Sequence, residues 1–159
     1  MTAYSTFNEI LANHQRQYPV QTVPIATALG IEVYKASGLP DTISGRIYRS
    51  FEDGGSSGYA IDVNADHHEV RRRFTIAHEI AHFVLHRDKI GDEMFDDYLY
   101  RSGLSNKQEW EANALAADIL MPRHLIAVAR SNGLNTVHEL AMAFNVSETA
   151  MSIRLGRPA

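Results

Sequence analysis

Two histidines four residues apart, His78 and His82, are the residues of this chain whose types and spacing point most directly to chemistry. At 3.6 residues per turn they lie about 40° apart around a helix axis, and Glu79 lies about 100° from His78, so all three side chains project from one side. Two imidazoles on successive turns can bind one metal ion, and a neighbouring carboxylate can act as a general base. The pattern predicts a metal centre with ligands His78 and His82 and catalytic Glu79.

The residues around this motif distinguish it from a chance occurrence of the HExxH pattern. The other positions are apolar nearly all round the helix: Ile76, Ala77, Ile80, Ala81, Phe83, Val84 and Leu85. A helix that is apolar on every side is buried. Buried histidines and a buried carboxylate need polar or ionic partners, and a metal ion can supply them.

A catalytic zinc site usually takes three protein ligands and leaves one position for water. In one known arrangement a glycine and a further histidine follow the motif, but here those positions hold Leu85 and Asp88. His86 lies one turn beyond His82, yet three successive turns place the first and last Cα atoms about 12 Å apart, too far for convergence on one ion. We therefore expect His86 to support the site or end the helix.

The other known arrangement takes the third ligand from a later helix, where Glu109 and Glu111 are candidates. The Glu109 face also carries Asn113 and small or apolar residues, whereas Glu111 shares its face with Lys107, with which it can pair in solvent. We therefore predict that Glu109 is the metal ligand. Asn113 could hold a ligand in orientation through a hydrogen bond, or it could be a helix cap or bridge two helices.

The elements that must position these residues give an α+β chain. We predict helices over residues 5–18 and 24–29, strands over 31–34, 43–50 and 59–63 with an antiparallel hairpin at 43–63, and a central helix from about His67 to Arg87. Further helices are predicted over 107–120, 122–132, 136–144 and 147–155. Residues 71–73, three arginines, are expected to be a solvated segment of the central helix.

Residues 88–106 combine acidic and aromatic side chains without helical periodicity. They can be a mobile loop or a segment that covers the substrate, and the sequence favours neither. Tyr98 and Tyr100 in this stretch, together with His86, are candidates to stabilise the oxyanion of a reaction intermediate.

The composition bounds the class of protein. The 159 residues carry a net charge of −4 and contain no cysteine, which excludes disulfides and thiolate metal sites. We expect a single domain over 1–159, in three parts: residues 1–66, 67–121 and 122–159. The sequence shows no signal-peptide pattern and no membrane-spanning run, so we expect a cytoplasmic protein. The negative charge argues against broad affinity for nucleic acid.

Two segments in this order, FTIAHEIAHFVLH and EWEANALAADILMP, resemble the ImmA/IrrE family of zinc metallopeptidases. The resemblance implies a gluzincin-like fold, one Zn²⁺ per chain, ligands His78, His82 and Glu109, and the base Glu79. It also implies a protein substrate, a helix-turn-helix repressor that is cleaved to derepress stress or mobile-element genes. Members often lie beside such a repressor, which makes a toxin–antitoxin-like pair an alternative.

Residues 139–155 resemble a helix-turn-helix, but they offer few cations for phosphate contacts, with Arg154 and Arg157 nearby. We expect this element to pack or to bind a partner, and we do not expect direct DNA binding. Other hypotheses are a non-catalytic metal module, a DNA- or partner-binding regulator, and a latent protease that needs a partner or signal. Glu79 argues against a purely structural site, which needs no base.

Overall fold

Two helices precede a three-stranded sheet, and the remaining helices follow it. The computed structural model describes residues 3–90 and 106–156. Its elements are α1 (Ala3–His14), α2 (Thr22–Ala28), β1 (Ile31–Ala36), β2 (Gly45–Arg49), β3 (Tyr59–Asn64), α3 (Glu69–Leu85), a short 3₁₀ helix (Arg87–Lys89), α4 (Asn106–Leu120), α5 (Arg123–Ser131), α6 (Val137–Phe144) and α7 (Glu148–Arg154). The predicted α+β class is confirmed, with a small sheet against a mainly helical core.

The sheet has the strand order β1-β3-β2. Strand β3 pairs with β1 in parallel and with β2 in antiparallel fashion, so the predicted 43–63 hairpin is confirmed. All of β3 is buried, as expected for a central strand with elements on both sides. Gly45 lets β2 pass close to α3, since a Cβ there would lie 2.7 Å from the Thr75 methyl group.

Helix α3 runs through the core and contacts elements from both halves of the chain. It packs against the sheet, where the Phe83 and Tyr59 rings meet edge to face with centroids 5.1 Å apart. Among the described helix pairs, α3 and α4 share the most extensive contact. The small residues Ala112 and Ala116 of α4 are fully buried, and small side chains allow two helix axes to approach closely.

The arginines at the start of α3 differ from the expectation of a solvated segment. Arg71 is exposed, but Arg73 is buried and donates hydrogen bonds to the carbonyl oxygens of Phe144 and Asn145. Burial lowers the pKa of the Arg73 guanidinium. Residues two positions apart point to opposite sides of a helix, so one run of three arginines contains both an exposed and a buried side chain.

The C-terminal end of α4 is held by side chains that are distant in sequence. The buried Gln15 donates from Nε2 to the carbonyl oxygens of Asp118 and Ile119, both at 2.9 Å. Arg154 pairs with the Asp118 carboxylate at 2.8 Å and donates to the Met121 carbonyl. These bonds satisfy carbonyl groups that a helix end leaves without intrahelical partners.

Helices α6 and α7 have their own end signals. Thr136 and Glu139 form a capping box at the start of α6, and Asn145 ends it with a left-handed φ of 55°. Ser147 caps α7. The inner faces of both helices belong to the core, where Phe144 stacks on Tyr18 at 4.9 Å. No helix in the described ranges is long and apolar enough to cross a membrane.

Candidate metal centre

Three side chains from α3 and α4 converge on one point. The Nε2 atoms of His78 and His82 lie 3.0 Å apart. The Glu109 carboxylate places Oε2 3.3 Å from His78 Nε2 and Oε1 3.2 Å from His82 Nε2. The histidines lie on successive turns of α3, and the glutamate lies in the first turn of α4. This group could hold a metal ion.

The separations among these atoms fit a small tetrahedral ion. Zinc lies about 2.0–2.1 Å from its nitrogen and oxygen ligands, and a tetrahedron of that size has edges of about 3.3 Å. The two nitrogens lie 3.0 Å apart, and each lies 3.2 or 3.3 Å from one of the two oxygens of the Glu109 carboxylate, which is close to that edge length. Two imidazoles and one carboxylate also match the His₂Glu sets of catalytic zinc sites, although nitrogen and oxygen donors accept other divalent ions as well.

The electrostatics of the cluster favour an ionised carboxylate. Hydrogen bonds from His78 and His82 hold the pKa of Glu109 far below its ordinary value, against a smaller opposing effect of burial. The position of Glu109 in the first turn of α4 adds the favourable field of the helix dipole. A metal ligand must be deprotonated, and Glu109 meets that condition at neutral pH.

The cluster lies at the border between core and solvent. The His82 side chain is fully buried, that of His78 is 16% exposed and that of Glu109 is 42% exposed. Glu79, next to His78 on α3, is 1% exposed. A ligand from solvent would therefore meet Glu109 first, while Glu79 is buried.

His86 and Glu111 continue the cluster away from the convergence point. His86 Nδ1 lies 3.0 Å from His82 Nδ1, and His86 Nε2 lies 3.4 Å from Glu111 Oε1. Glu111 therefore contacts His86 rather than pointing to solvent beside Lys107, as its face of the helix suggested. The reason is that His86 follows the last residue of α3 and caps it with a non-helical backbone, which the periodicity of α4 alone cannot reveal.

The remaining candidates lie elsewhere. Asn113 is exposed and lines a groove of about 640 Å³ between α3, α4 and α7. Tyr98 and Tyr100 lie outside the described residues.

The wall of the groove is largely apolar and includes Phe74, Trp110, Ala117, Ala150 and Ile153. Phe74 joins the groove to the cluster, because its ring stacks beside the His78 imidazole with centroids 6.4 Å apart.

Comparison with known proteins places this geometry in a family. Residues 26–156 match the family model described as the IrrE N-terminal-like domain, Peptidase_M78. A search of curated proteins found no match. A solved structure titled a Mycobacterium tuberculosis transcriptional regulator is similar in fold, with a TM-score of 0.64 and 19% identity. The match covers 96% of this chain but 46% of that one. Because the family model spans most of the chain and both halves of the cluster, the chain belongs to the IrrE N-terminal-like, Peptidase_M78, family.

Proposed function

We propose that the protein is a zinc-dependent endopeptidase with one Zn²⁺ per chain, held by His78, His82 and Glu109. The observation that carries the proposal is the convergence of these three side chains, with donor atoms 3.0 to 3.3 Å apart. The third donor comes from a separate helix, so the geometry depends on the fold as well as on a local sequence motif. Membership of a peptidase family supports the same conclusion.

Each residue of the proposed site has a separate role in peptide hydrolysis. When bound, zinc supplies a Lewis acid that polarises the scissile carbonyl and lowers the pKa of a water molecule. Glu79 takes a proton from the attacking water and delivers it to the leaving amine. His78 and His82 stay neutral to bind the metal, and the anionic Glu109 lowers the net charge of the centre. The burial of Glu79 limits its contact with bulk water.

A polypeptide substrate fits the surroundings of the cluster. The groove begins one helical turn from both histidine and glutamate ligands, at Phe74 on α3 and Asn113 on α4. An extended chain advances about 3.3 Å per residue, so residues near a bond at the metal would reach this wall. We propose that the substrate is a helix-turn-helix repressor whose cleavage derepresses stress or mobile-element genes.

The test uses the zinc-loaded protein, a helix-turn-helix repressor as the candidate substrate, and the variant Glu79→Gln. We expect the unmodified protein to cut the repressor at a defined bond, and Glu79→Gln to bind zinc equally but lose at least about 100-fold in rate. The matched control is Glu148→Gln, which makes the same substitution at an exposed glutamate of α7 and should leave the cleavage rate unchanged. Equal cleavage by Glu79→Gln would refute the role of Glu79. Zinc uptake without cleavage of the repressor or of unfolded casein would refute the endopeptidase proposal.

A second candidate is a latent or non-catalytic metal-binding regulator. The observation in its favour is that the similar solved structure is titled a transcriptional regulator and is more than twice as long as the matched region. Direct DNA reading by α7 finds less support, because Arg154 is engaged with Asp118 and the Met121 carbonyl. Zinc binding that changes repressor affinity, with no cut bond, would favour this candidate.

A further inference from the structure

We propose that Glu111 and His86 form a positioning relay that, when the metal is bound, holds His82 in the tautomer whose Nε2 lone pair binds the metal. The inference deepens the proposed metal centre and rests on it. The relay runs from Glu111 Oε1 to His86 Nε2, over 3.4 Å, and from His86 Nδ1 to His82 Nδ1, over 3.0 Å. His82 Nε2 then faces His78 and Glu109.

The two histidines of the relay are buried, so the loss of either hydrogen bond would leave a polar atom without a partner. The side chains of His82 and His86 are 0% and 7% exposed, so little water is available to replace either bond. Glu111 is 40% exposed and ends the relay at the surface. Buried polar groups are costly when left without a partner. Of the two facing nitrogens, His82 Nδ1 and His86 Nδ1, one must therefore carry a proton and the other must accept it.

With a metal bound, Glu109 and His82 Nε2 are both ligands and neither carries a proton, so Glu111 is the carboxylate that decides between the two possible proton arrangements of His86 and His82. An ionised carboxylate only accepts hydrogen bonds, so Glu111 requires a proton on His86 Nε2. In a neutral imidazole the other nitrogen, His86 Nδ1, is then an acceptor and takes the proton of His82 Nδ1–H. His82 Nε2 is left as a lone pair. The reversed arrangement would direct the His86 Nε2 lone pair at a carboxylate and place a proton on His82 Nε2, where it would block the metal.

The two histidine ligands differ in this support. His78 Nδ1 is buried and has no hydrogen-bond partner among the described residues. A ligating histidine normally donates its other ring N–H to a carboxylate, carbonyl or water, which raises its basicity, and loss of such a partner costs about 10- to 100-fold in metal affinity. His82 is therefore the preorganised ligand of the pair.

The first test measures zinc affinity by competition with a chelator. We expect His86→Leu and Glu111→Ala each to weaken zinc binding by about 10- to 100-fold. His86→Gln should recover part of the loss seen with leucine, because its amide oxygen can accept from His82 Nδ1–H. The controls are His138→Leu and Glu148→Ala, which break a His–Glu contact of 3.3 Å on the surface and should leave zinc affinity unchanged. Circular dichroism establishes that each variant is folded.

The second test reads the tautomers directly by ¹⁵N NMR of the imidazole nitrogens, in the unmodified protein with and without zinc. With zinc, we expect the proton of His86 on Nε2 and that of His82 on Nδ1. Glu111→Ala should make the His86 tautomers mixed, a change that loss of packing alone would not produce. A His86 proton on Nδ1, or unchanged affinity in folded His86→Leu, would overturn the relay while the metal centre stands. Absence of zinc binding by the unmodified protein would instead overturn the metal centre itself.

Discussion

Single residues set the character of the site, because each of the three proposed ligands has a different environment. His82 is fully buried with a histidine behind it, His78 is partly exposed beside Phe74, and Glu109 is open to solvent. The metal-facing atoms are therefore held from the core side and approached from the Glu109 side. Such an arrangement positions ligands firmly while leaving access for a water molecule and a substrate.

The first prediction separates the two glutamates of α4. The zinc content is compared at a buffered free zinc concentration that saturates both the unmodified protein and Glu111→Ala. Under that condition Glu109→Ala should bind much less than one zinc ion per chain. The reason is that Glu109 contacts both Nε2 atoms, whereas Glu111 reaches the cluster through His86. Elemental analysis of zinc per chain is the measurement. Loss of zinc in Glu111→Ala alone would reverse the assignment of the third ligand.

At the scale of elements, the site requires α3 and α4 to keep a fixed position relative to each other. The positions of His78 and His82 follow from local helix geometry, but Glu109 comes from a different helix. Three polar contacts tie these helices to the rest of the fold: Arg73 to the end of α6, and Gln15 and Arg154 to the end of α4. These contacts orient the scaffold without touching the proposed metal ligands.

The second prediction concerns Arg73. Arg73→Met should lower the free energy of unfolding by about 1–3 kcal/mol, because the carbonyl groups of Phe144, in a buried bond, and Asn145, in a partly buried one, lose their donor. Arg71→Met is the matched control, since Arg71 is exposed, and surface changes usually stay within about 0.5 kcal/mol. Urea unfolding followed by circular dichroism measures both. Equal effects of the two changes would contradict a structural role for Arg73.

The third prediction concerns Gln15. Gln15→Ala should lower the free energy of unfolding by about 1–3 kcal/mol, because the carbonyl groups of Asp118 and Ile119 lose a buried donor. The exposed Gln17, changed to alanine, serves as the comparison. Thermal unfolding of the zinc-free proteins is the measurement. A Gln15→Ala protein as stable as Gln17→Ala would show that the end of α4 needs no support from Gln15.

At the scale of the whole molecule, the C-terminal helices complete both the core and the groove. Leu140, Phe144 and Met151 are fully buried, while Ala150 and Ile153 of α7 line the groove opposite α4. The helix-turn-helix-like segment thus has a packing role in this fold. Its outward face adjoins the proposed site of hydrolysis, which gives a repressor substrate an apolar surface to contact.

The fourth prediction uses Trp110, the only tryptophan of the chain. Trp110 is 70% exposed at the rim of the groove. Its fluorescence should shift to shorter wavelength when the repressor binds to zinc-loaded Glu79→Gln, because binding would remove the indole from water. A repressor without tryptophan, or with its tryptophans changed to phenylalanine, keeps the signal specific. Saturable binding with no change in Trp110 emission would place the substrate outside this groove.

The elements and the two histidines could be predicted from the sequence because both depend on short-range patterns. The spacing of His78 and His82 and the apolar positions around them indicate a buried helix with two side chains on one face. The alternation in residues 31–34 predicts a strand, and β1 is observed over Ile31–Ala36. The face of α4 that carries Asn113 and Ala116 favoured Glu109, which the structure brings beside both histidines.

Only the tertiary structure decided the contacts that join distant segments. Arg73 could not be distinguished from Arg71 by sequence, because its acceptors are carbonyl groups of residues 144 and 145. The contact between Glu111 and His86 depends on the angle between α3 and α4 and on the non-helical cap at His86. A helical period states which side of its own helix a residue occupies, whereas the partner on that side is determined by how the chain packs.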